Sequence, residues 1–397
     1  MNKLTAALAS RKARHRKRHA PTGATFALAD RIDYLNGEHW DALTRGASIF
    51  QQRRFARALE AAAPDNLAPR YAIVYRDGEP VAAISAQFLD VGGERVVAQA
   101  ATGKRVSALK RVRTRILVCG NVMSTGLHGV AIKPGVAPEE AWPAISEALL
   151  RLRRAEKLGG NSDFIMIKDF AERASSIDGS LADFGYSPLA TEPNMVLALR
   201  PEWKSYADYN ASLAAKYRKE AERVHKRVQE KGCTVEPLAG LDGHAARLDE
   251  LYLAVHANAK VRLVTVPAGF LPSLERHLGD DFRCTVIRRD GAIVGFVTSL
   301  RDGPTAHGYL IGYDRAANAD IPIYFRLLHA SIANAIDLGC RELSLGRTAL
   351  TPKATLGAKE QPMSLLLRHR VAPMKHVLKR VLEAVPHDHA PERHPFG

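Results

Sequence analysis

The stretch that decides the fold is residues 307–370, and it begins as a buried strand followed by a helix. HGYLIGYD (307–314) is a short apolar and aromatic run, typical of a strand that ends in a turn. IPIYFRLLHASIANAIDLG (321–339) then places apolar residues at helical spacing. Pro322 falls in the predicted first turn and Gly339 marks the stop. The sequence therefore predicts a strand and a helix here.

The remainder of the stretch returns to strand patterns. CRELSLGRTAL (340–350) alternates apolar and polar residues before a polar turn that contains Arg347. TPKATLGAKEQPMSLLLRHR (351–370) predicts a loop that carries Lys353 and Gly357, followed by a last strand. The predicted order is strand, helix, strand, loop and strand, with the polar side chains gathered at strand ends.

The start of the predicted helix is a candidate anion site. The first amides, from Ile321 to Tyr324, lack intrahelical partners, and the helix dipole favours negative charge there. Strand-to-helix turns in general share this property, and no glycine lies between Tyr313 and Ile321. The pattern thus leaves both a phosphate site and an ordinary turn open.

Composition limits the class of protein. The chain has 397 residues, 46% of them hydrophobic, which suits a folded chain with two domains. No apolar run reaches the length of a membrane span, so we expect a cytoplasmic protein. The four cysteines are widely spaced without a CxxC pair, and we expect reduced thiols and no metal site.

The net charge of +15 is concentrated at the N-terminus. Seven cations precede the first acid, Asp30. Residues 1–25 are predicted to form a disordered basic tail, which either makes weak contacts with nucleic acid or an anionic membrane or is simply solvated. A second basic segment places Arg111, Arg113 and Arg115 on one face of a predicted strand.

An internal repeat is the strongest pattern in the chain. RYAIVYRDGEPVAAISAQFLDV and FRCTVIRRDGAIVGFVTSLRD are both predicted hairpins with an Asp-Gly turn. In each copy a helix, a glycine stop and further strands follow in the same order. Two α/β units are therefore predicted, at 26–200 and 201–370, with a basic helix and tail at 371–397. A long amphipathic helix at 212–231 joins them.

These residues resemble a known family. The repeated unit, the KYRKEAERV helix and the segments GYLIGYD, IYFRLLHASIANAIDLG and LSLGRTALTPKATLGA are similar to the tandem GNAT-fold acyltransferases, in particular the FemAB-type peptidoglycan aminoacyltransferases. The resemblance implies an α/β fold of two GNAT units with mixed sheets. It also implies transfer of an acyl or aminoacyl group to an amine, such as one on a cell-envelope precursor, with the donor in the second unit. The glycine-rich pyrophosphate loop of acetyl-CoA-dependent GNAT enzymes is absent between Asp314 and Pro322.

Such a reaction needs an oxyanion donor, a route for protons and a grip on a phosphate-bearing donor, whether acyl-CoA or another acyl carrier. No tightly bound cofactor is expected. Candidate residues of two kinds follow. For the donor's phosphates we predict Arg347 and Lys353, then Lys216 and Arg218, with the helix start at Ile321 and Tyr324. For proton transfer the candidates are Tyr309, Tyr313, His307 and His329, although each of these is also a common core residue.

The sharpest hypothesis is that Lys353 and Arg347 bind the donor's phosphates and do not stabilise the fold. Two rival functions stay open from sequence alone. One is a non-catalytic tandem GNAT protein that acts as a binding module. The other is an RNA-binding protein that uses the basic tail and the predicted strand from Arg111 to Arg115.

Overall fold

The structure of the protein is a computed structural model, and it describes residues 20–93, 113–171, 181–259, 262–370 and 389–396. Most of the predicted basic tail, Arg111 and the predicted helix in 371–397 lie outside these residues. No helix in the described ranges is long and apolar enough to cross a membrane.

The first half of the chain contains seven strands and three main helices among the described residues. The strands are β1 Thr25–Ala29, β2 Leu67–Arg76, β3 Glu79–Gly92, β4 Arg113–Cys119, β5 Val130–Ile132, β6 Phe164–Ala171 and β7 Ser187–Ala198. The helices are α1 Gly37–Thr44, α2 Arg53–Ala61 and α3 Pro138–Ala155.

The second half begins with two helices and then repeats the same sequence of elements. Its helices are α4 Tyr206–Ala211, α5 Ala215–Glu230, α6 Ala245–His256, α7 Phe270–Leu278, α8 Arg315–Asn318, α9 Ile323–Asp337 and α10 Leu350–Thr355. Its strands are β8 Cys233–Pro237, β9 Phe282–Arg289, β10 Ala292–Asp302, β11 Thr305–Tyr313, β12 Glu342–Ser344 and β13 Lys359–His369.

All strands belong to one mixed sheet, in the order β1-β2-β3-β4-β6-β13-β7-β12-β11-β10-β9-β8, with β5 beside β3. The two halves of the sheet have equivalent strand orders: β1-β2-β3-β4-β6-β13 from one edge corresponds to β8-β9-β10-β11-β12-β7 from the other. Each half contains one parallel pair, β4 with β6 and β11 with β12, and each pair is connected through a helix, α3 or α9. The predicted tandem α/β fold is therefore confirmed.

The two hairpins that indicated the repeat are equivalent in detail. β2 pairs with β3 and β9 pairs with β10, both antiparallel. Asp77 and Asp290 have φ angles of 51° and 50°, and the glycine after each is also in the left-handed region. Positive φ at both central residues is the geometry of a type I′ turn, which the Asp-Gly pair accommodates best.

The last strands of the two halves are exchanged. β7, from the first half of the chain, pairs with β12, whereas β13, from the second half, pairs with β6. β7 and β13 also pair with each other along their length. Each sheet half is thus completed by a strand from the other half of the chain.

Two predicted helices of the second half are confirmed. Helix α9 buries Leu327, Leu328, Ile332 and Ile336, as its spacing predicted. Connecting helix α5 buries Ala221, Val224 and Val228 and leaves most of its charges exposed. The loop predicted around Lys353 is wrong, because Leu350–Thr355 forms the short helix α10.

Candidate functional site: a cleft beside strand β11

A cleft opens where β11 and β12 stop being neighbours. The two strands pair only from Thr305–Glu342 to His307–Ser344, and β12 then ends while β11 continues to Tyr313. The space between β11 and the chain after Leu345 is a cavity of about 480 Å³. It continues into an outer cavity of about 720 Å³, with Tyr313 in the lining of both.

Strand β11 carries an irregularity where it faces this cleft. Its pairing with β10 shifts register between Val297 and Ser299, opposite Tyr309 and Leu310. The Thr298 hydroxyl bridges the gap, since Leu310 N donates to its oxygen at 3.0 Å and the hydroxyl lies 3.3 Å from the Leu310 carbonyl. A bulge of this kind changes the direction of nearby backbone groups, and such bulges are common beside active sites.

Lys353 corrects the sharpest sequence prediction. Only 5% of this residue is exposed, and its Nζ donates to the carbonyls of Gly346, Arg347 and Thr348 at 3.2, 2.7 and 2.8 Å. Its donor capacity is therefore spent inside the protein, on the loop that lines the cleft. Burial lowers the pKa of Lys353 to about 7. These contacts favour a role for Lys353 in positioning that loop rather than in the predicted contact with the donor's phosphates.

Arg347 lines the cleft and belongs to a cluster built from both halves of the chain. Its Nη2 donates to the buried carboxylate of Asp169, which also contacts Lys168 Nζ. Arg347 Nε has no hydrogen-bond partner, and 26% of the side chain is exposed. Asp169 thus fixes the guanidinium, and the exposed part of the Arg347 side chain lines the cavity.

Backbone strain concentrates around the same cleft. Five residues other than glycine have positive φ among those described, and two of them are the hairpin aspartates. The other three are Asp169 at 58°, Thr348 at 66° and Ala349 at 46°. Thr348 and Ala349 line the cavity, and Asp169 holds Arg347. Strained residues outside turns cluster at functional sites, because the surrounding structure must hold them in place.

The two predicted tyrosines both lie at the cleft. The Tyr309 hydroxyl is buried near Asn121, and burial raises the pKa of this phenol well above its ordinary value. Tyr309 therefore remains a proton donor at neutral pH. The Tyr313 ring packs against Tyr324, with centroids 5.8 Å apart. Tyr324 also lines the cavity.

The two predicted histidine bases are not in the lining of either cavity. His307 is buried, with Nε2 3.4 Å from Asp302, and its ring faces Phe50 and His128. Burial and the neighbouring His307 lower the pKa of His128 to about 4, so that ring is neutral. His329 is bonded through Nδ1 to the Tyr206 hydroxyl at 2.8 Å, and burial lowers its pKa to about 3.

The remaining predicted phosphate contacts are not brought to the cleft. Lys216 is exposed at the start of α5, and Arg218 donates to the carbonyls of Ala211 and Leu213. Neither residue lines the cavities in the described part of the chain. Ile321 is fully buried in the apolar core. Lys216 and Arg218 therefore do not meet Arg347 at the cleft.

The helix start itself is partly satisfied by the protein. Tyr324 N donates to the Asn318 side chain at 2.9 Å, and Ile323 N donates to the Ile321 carbonyl. Before it, the Asp314 carboxylate caps the short helix α8 by accepting from Ala317 N at 3.0 Å. An acidic cap occupies the place where a phosphate would need free amides.

Sequence analysis missed three residues of the cleft. Asp169 lies in the apolar strand β6, and only the fold shows that its carboxylate meets Arg347. Thr125 comes from an irregular loop of the first half, and Arg315 lies in the lining of the outer cavity. The repeat offered one signal for these residues: polar residues near the strand ends of the first half correspond to those that line the cleft in the second half.

Comparison with known proteins identifies the second half. Residues 215–354 match the family model described as acetyltransferase (GNAT) domain. This segment is similar to GNAT acetyltransferase domains. It contains β11, α9, β12 and α10, the elements that form the cleft, and it marks the protein as an acyltransferase. No match to a curated protein sequence was found.

The whole fold has relatives among solved structures. The structure titled "Crystal structure of FemX" is 11% identical, with a TM-score of 0.54, over 87% of this chain and 98% of that one. A tandem GNAT protein from the clavulanic acid biosynthesis pathway is 13% identical, with a TM-score of 0.51, over the same shares. At this identity the likeness concerns the fold, which is the tandem GNAT fold of FemX-like proteins.

Proposed function

We propose that the protein transfers an acyl or aminoacyl group from a phosphate-bearing carrier to an amine, with the reacting carbonyl in the cleft beside β11. The observation that carries the proposal is the unpaired edge of β11 beyond His307, which forms one wall of a deep cavity inside a GNAT acetyltransferase domain. An extended donor arm can bind such an edge through main-chain hydrogen bonds, as a peptide does in strand addition.

The reaction requires mainly that the protein hold the amine and the donor carbonyl next to each other. The neutral amine nitrogen attacks the donor carbonyl, and the bond from that carbon to the carrier's sulfur or oxygen breaks. The nitrogen gives up one proton to solvent, and the leaving atom gains one. Tyr309 is the group proposed to supply that proton, because it lines the cavity and burial keeps its phenol protonated at neutral pH.

Arg347 is proposed to hold a negative group of the donor. Its partner Asp169 fixes the guanidinium, and the exposed part of the side chain lines the cavity, where its positive charge can attract an anion. The capped helix α8 stands where a glycine-rich loop would bind pyrophosphate. This favours a carrier whose phosphates lie elsewhere than at that turn, and an aminoacyl-tRNA or a carrier protein is therefore to be tested beside acyl-CoA.

The test compares donors on the purified full-length protein. Acyl-CoA, acyl carrier protein and aminoacyl-tRNA are each supplied with lysine-containing peptides, and formation of the acylated amine is followed by mass spectrometry. We expect turnover with at least one donor, and Tyr309→Phe should lower kcat about 10²-fold or more while donor binding persists. Normal turnover by Tyr309→Phe would contradict the assigned role. Absence of both donor binding and product with all three carriers would contradict the function.

A further inference from the structure

A cluster of His128, Asp302 and His307 lies between the two halves of the chain, behind the cleft. One ligand atom of each residue lies within 4.8 Å of the corresponding atom of the other two. Both histidines are buried and Asp302 is half-buried. Thr125 and Gly308, which neighbour His128 and His307, line the cleft, but the three residues of the cluster do not. The proposed acyl transfer uses none of them.

The hydrogen bonds show which nitrogen of His128 is free. His128 Nε2 is 2.9 Å from the Thr125 carbonyl, and a carbonyl only accepts, so Nε2 carries the proton. Nδ1 is then a bare lone pair, and it is buried without a partner. Buried polar atoms rarely lack one. His307 Nε2 also has no hydrogen bond of good geometry, although it lies 3.4 Å from Asp302 Oδ2.

The surrounding contacts hold these side chains in place. Ser48 Oγ donates to Asp302 at 2.7 Å, and Ile49 N donates to the same carboxylate at 2.6 Å. The Phe50 ring packs on both imidazoles, with centroids 4.6 Å from His128 and 5.1 Å from His307. Metal-binding histidines and carboxylates are usually oriented by such outer hydrogen bonds, among them an imidazole N–H to a backbone carbonyl.

We propose that these three residues bind a divalent transition-metal ion of the zinc class, through His128 Nδ1, His307 Nε2 and the Asp302 carboxylate. Two imidazoles and one carboxylate form a donor set that suits zinc, and water would fill the fourth position. Tetrahedral bonds of about 2.0–2.1 Å place neighbouring ligand atoms roughly 3.3–3.4 Å apart. The His307–Asp302 separation of 3.4 Å already has this value.

The position of the ion suggests what it does. His128 belongs to a loop of the first half that also supplies Thr125 to the cleft, whereas Asp302 and His307 belong to the β10–β11 hairpin of the second half. An ion bound by all three ties that loop to the strand that forms the cleft wall. Its binding free energy would then add to the stability of the folded state.

The test is metal binding by the full-length chain, without any acyl donor, so it stands apart from the proposed function. The protein is dialysed against a chelator and then against buffer, and Zn²⁺ alone is added. We expect about one tightly bound zinc per chain by elemental analysis and a higher Tm after zinc addition. His128→Gln and Asp302→Asn should each lower zinc affinity at least tenfold and abolish the Tm shift.

The control variants change two exposed histidines that also lie beside carboxylates. His389 lies 3.5 Å from Glu360 and His394 lies 3.4 Å from Glu392, both exposed. His389→Gln combined with His394→Gln should keep the tight site. If this control removes the zinc, or if Asp302→Asn folds and binds zinc as the wild type does, the proposal is overturned. A wild-type Tm that zinc leaves unchanged would also overturn it and leave a plain buried His–Asp pair. Should one variant fail to fold by circular dichroism, the other decides.

Discussion

Arg347 and Lys353 show how two adjacent cations take different roles according to their partners. Lys353 donates to three carbonyls and is enclosed, whereas Arg347 donates to Asp169 and leaves 26% of its side chain exposed at the cleft. The sequence places both cations near glycines in a polar segment and cannot separate them. The acceptors that the folded chain places around each side chain determine which of the two cations is fully hydrogen-bonded inside the protein.

Arg347→Ala should weaken donor binding about tenfold to a hundredfold, because a charge-assisted contact contributes about 1.5–3 kcal/mol. Arg347→Lys should also lose affinity, since an ammonium cannot keep Asp169 and present a second edge to the donor. Binding of the active donor by isothermal titration calorimetry measures this. Arg218→Ala is the matched control and should bind normally; equal losses in both variants would contradict a specific role for Arg347.

Lys353 should give the protein a characteristic pH dependence. Its folded pKa is about 7, below the unfolded value of about 10.4. Between these values the unfolded chain holds a proton that the folded chain lacks, so this group makes the free energy of unfolding rise with pH, by at most about 1.4 kcal/mol per pH unit. Below pH 7 both states are protonated, and the contribution of this group is constant.

Lys353→Met should remove that rise and also lower stability, because three carbonyls lose their donor. Urea unfolding of both proteins between pH 7 and pH 9 measures the difference in slope. Lys359→Met changes an exposed lysine and should follow the wild type. Parallel pH profiles for the wild type and Lys353→Met would show that Lys353 does not titrate in this range.

At the scale of elements, the parts set by local chemistry were predictable. The Asp-Gly turns, the apolar stripe of α9 and the glycine after it each depend on a few neighbouring residues. Helix α10 was not predictable, since it is six residues long and its entry residue Ala349 has a φ of 46°. Tertiary contacts around the cleft, and not the propensity of Leu350–Thr355, hold that conformation.

The two hairpin turns allow a matched test of the repeat. Gly78 and Gly291 have φ angles of 84° and 79°, and an added Cβ would meet no atom within 4 Å at either position. The cost of alanine is therefore conformational alone, about 1–2 kcal/mol in each turn. Chemical denaturation of Gly78→Ala and Gly291→Ala should show similar losses. Gly243→Ala, with equal space and no positive φ, should be nearly neutral, and a loss there as large as in the turns would refute the conformational explanation.

At the scale of the whole molecule, the repeat was predictable but the exchange of strands was not. β7 and β13 have similar apolar patterns and follow similar glycines, so the sequence identifies them as equivalents. Which parallel pair each one joins depends on the path of the chain between the halves, and pattern carries no information about that. For the same reason the contact of Arg347 with Asp169, from opposite halves, could not be predicted.

The exchange makes each half of the sheet depend on the other half of the chain. A fragment of residues 20–200 contains β7 but lacks β13, so the edge of β6 loses the strand that covers it. A fragment of residues 201–397 lacks β7, which leaves β12, only three residues long, unpaired on one side. Unpaired edges and exposed apolar strands favour aggregation over folding.

Neither fragment alone should therefore show cooperative unfolding, whereas refolding both together from urea should restore the native circular dichroism and a single unfolding transition. The recombined pair lacks residues 1–19 and the peptide bond between residues 200 and 201 but keeps the strand pairings between the halves, which makes it the matched control for each fragment. The expected stability of the pair depends on protein concentration, because folding has become bimolecular. Independent cooperative folding of either fragment would mean that its sheet is complete without the exchanged strand.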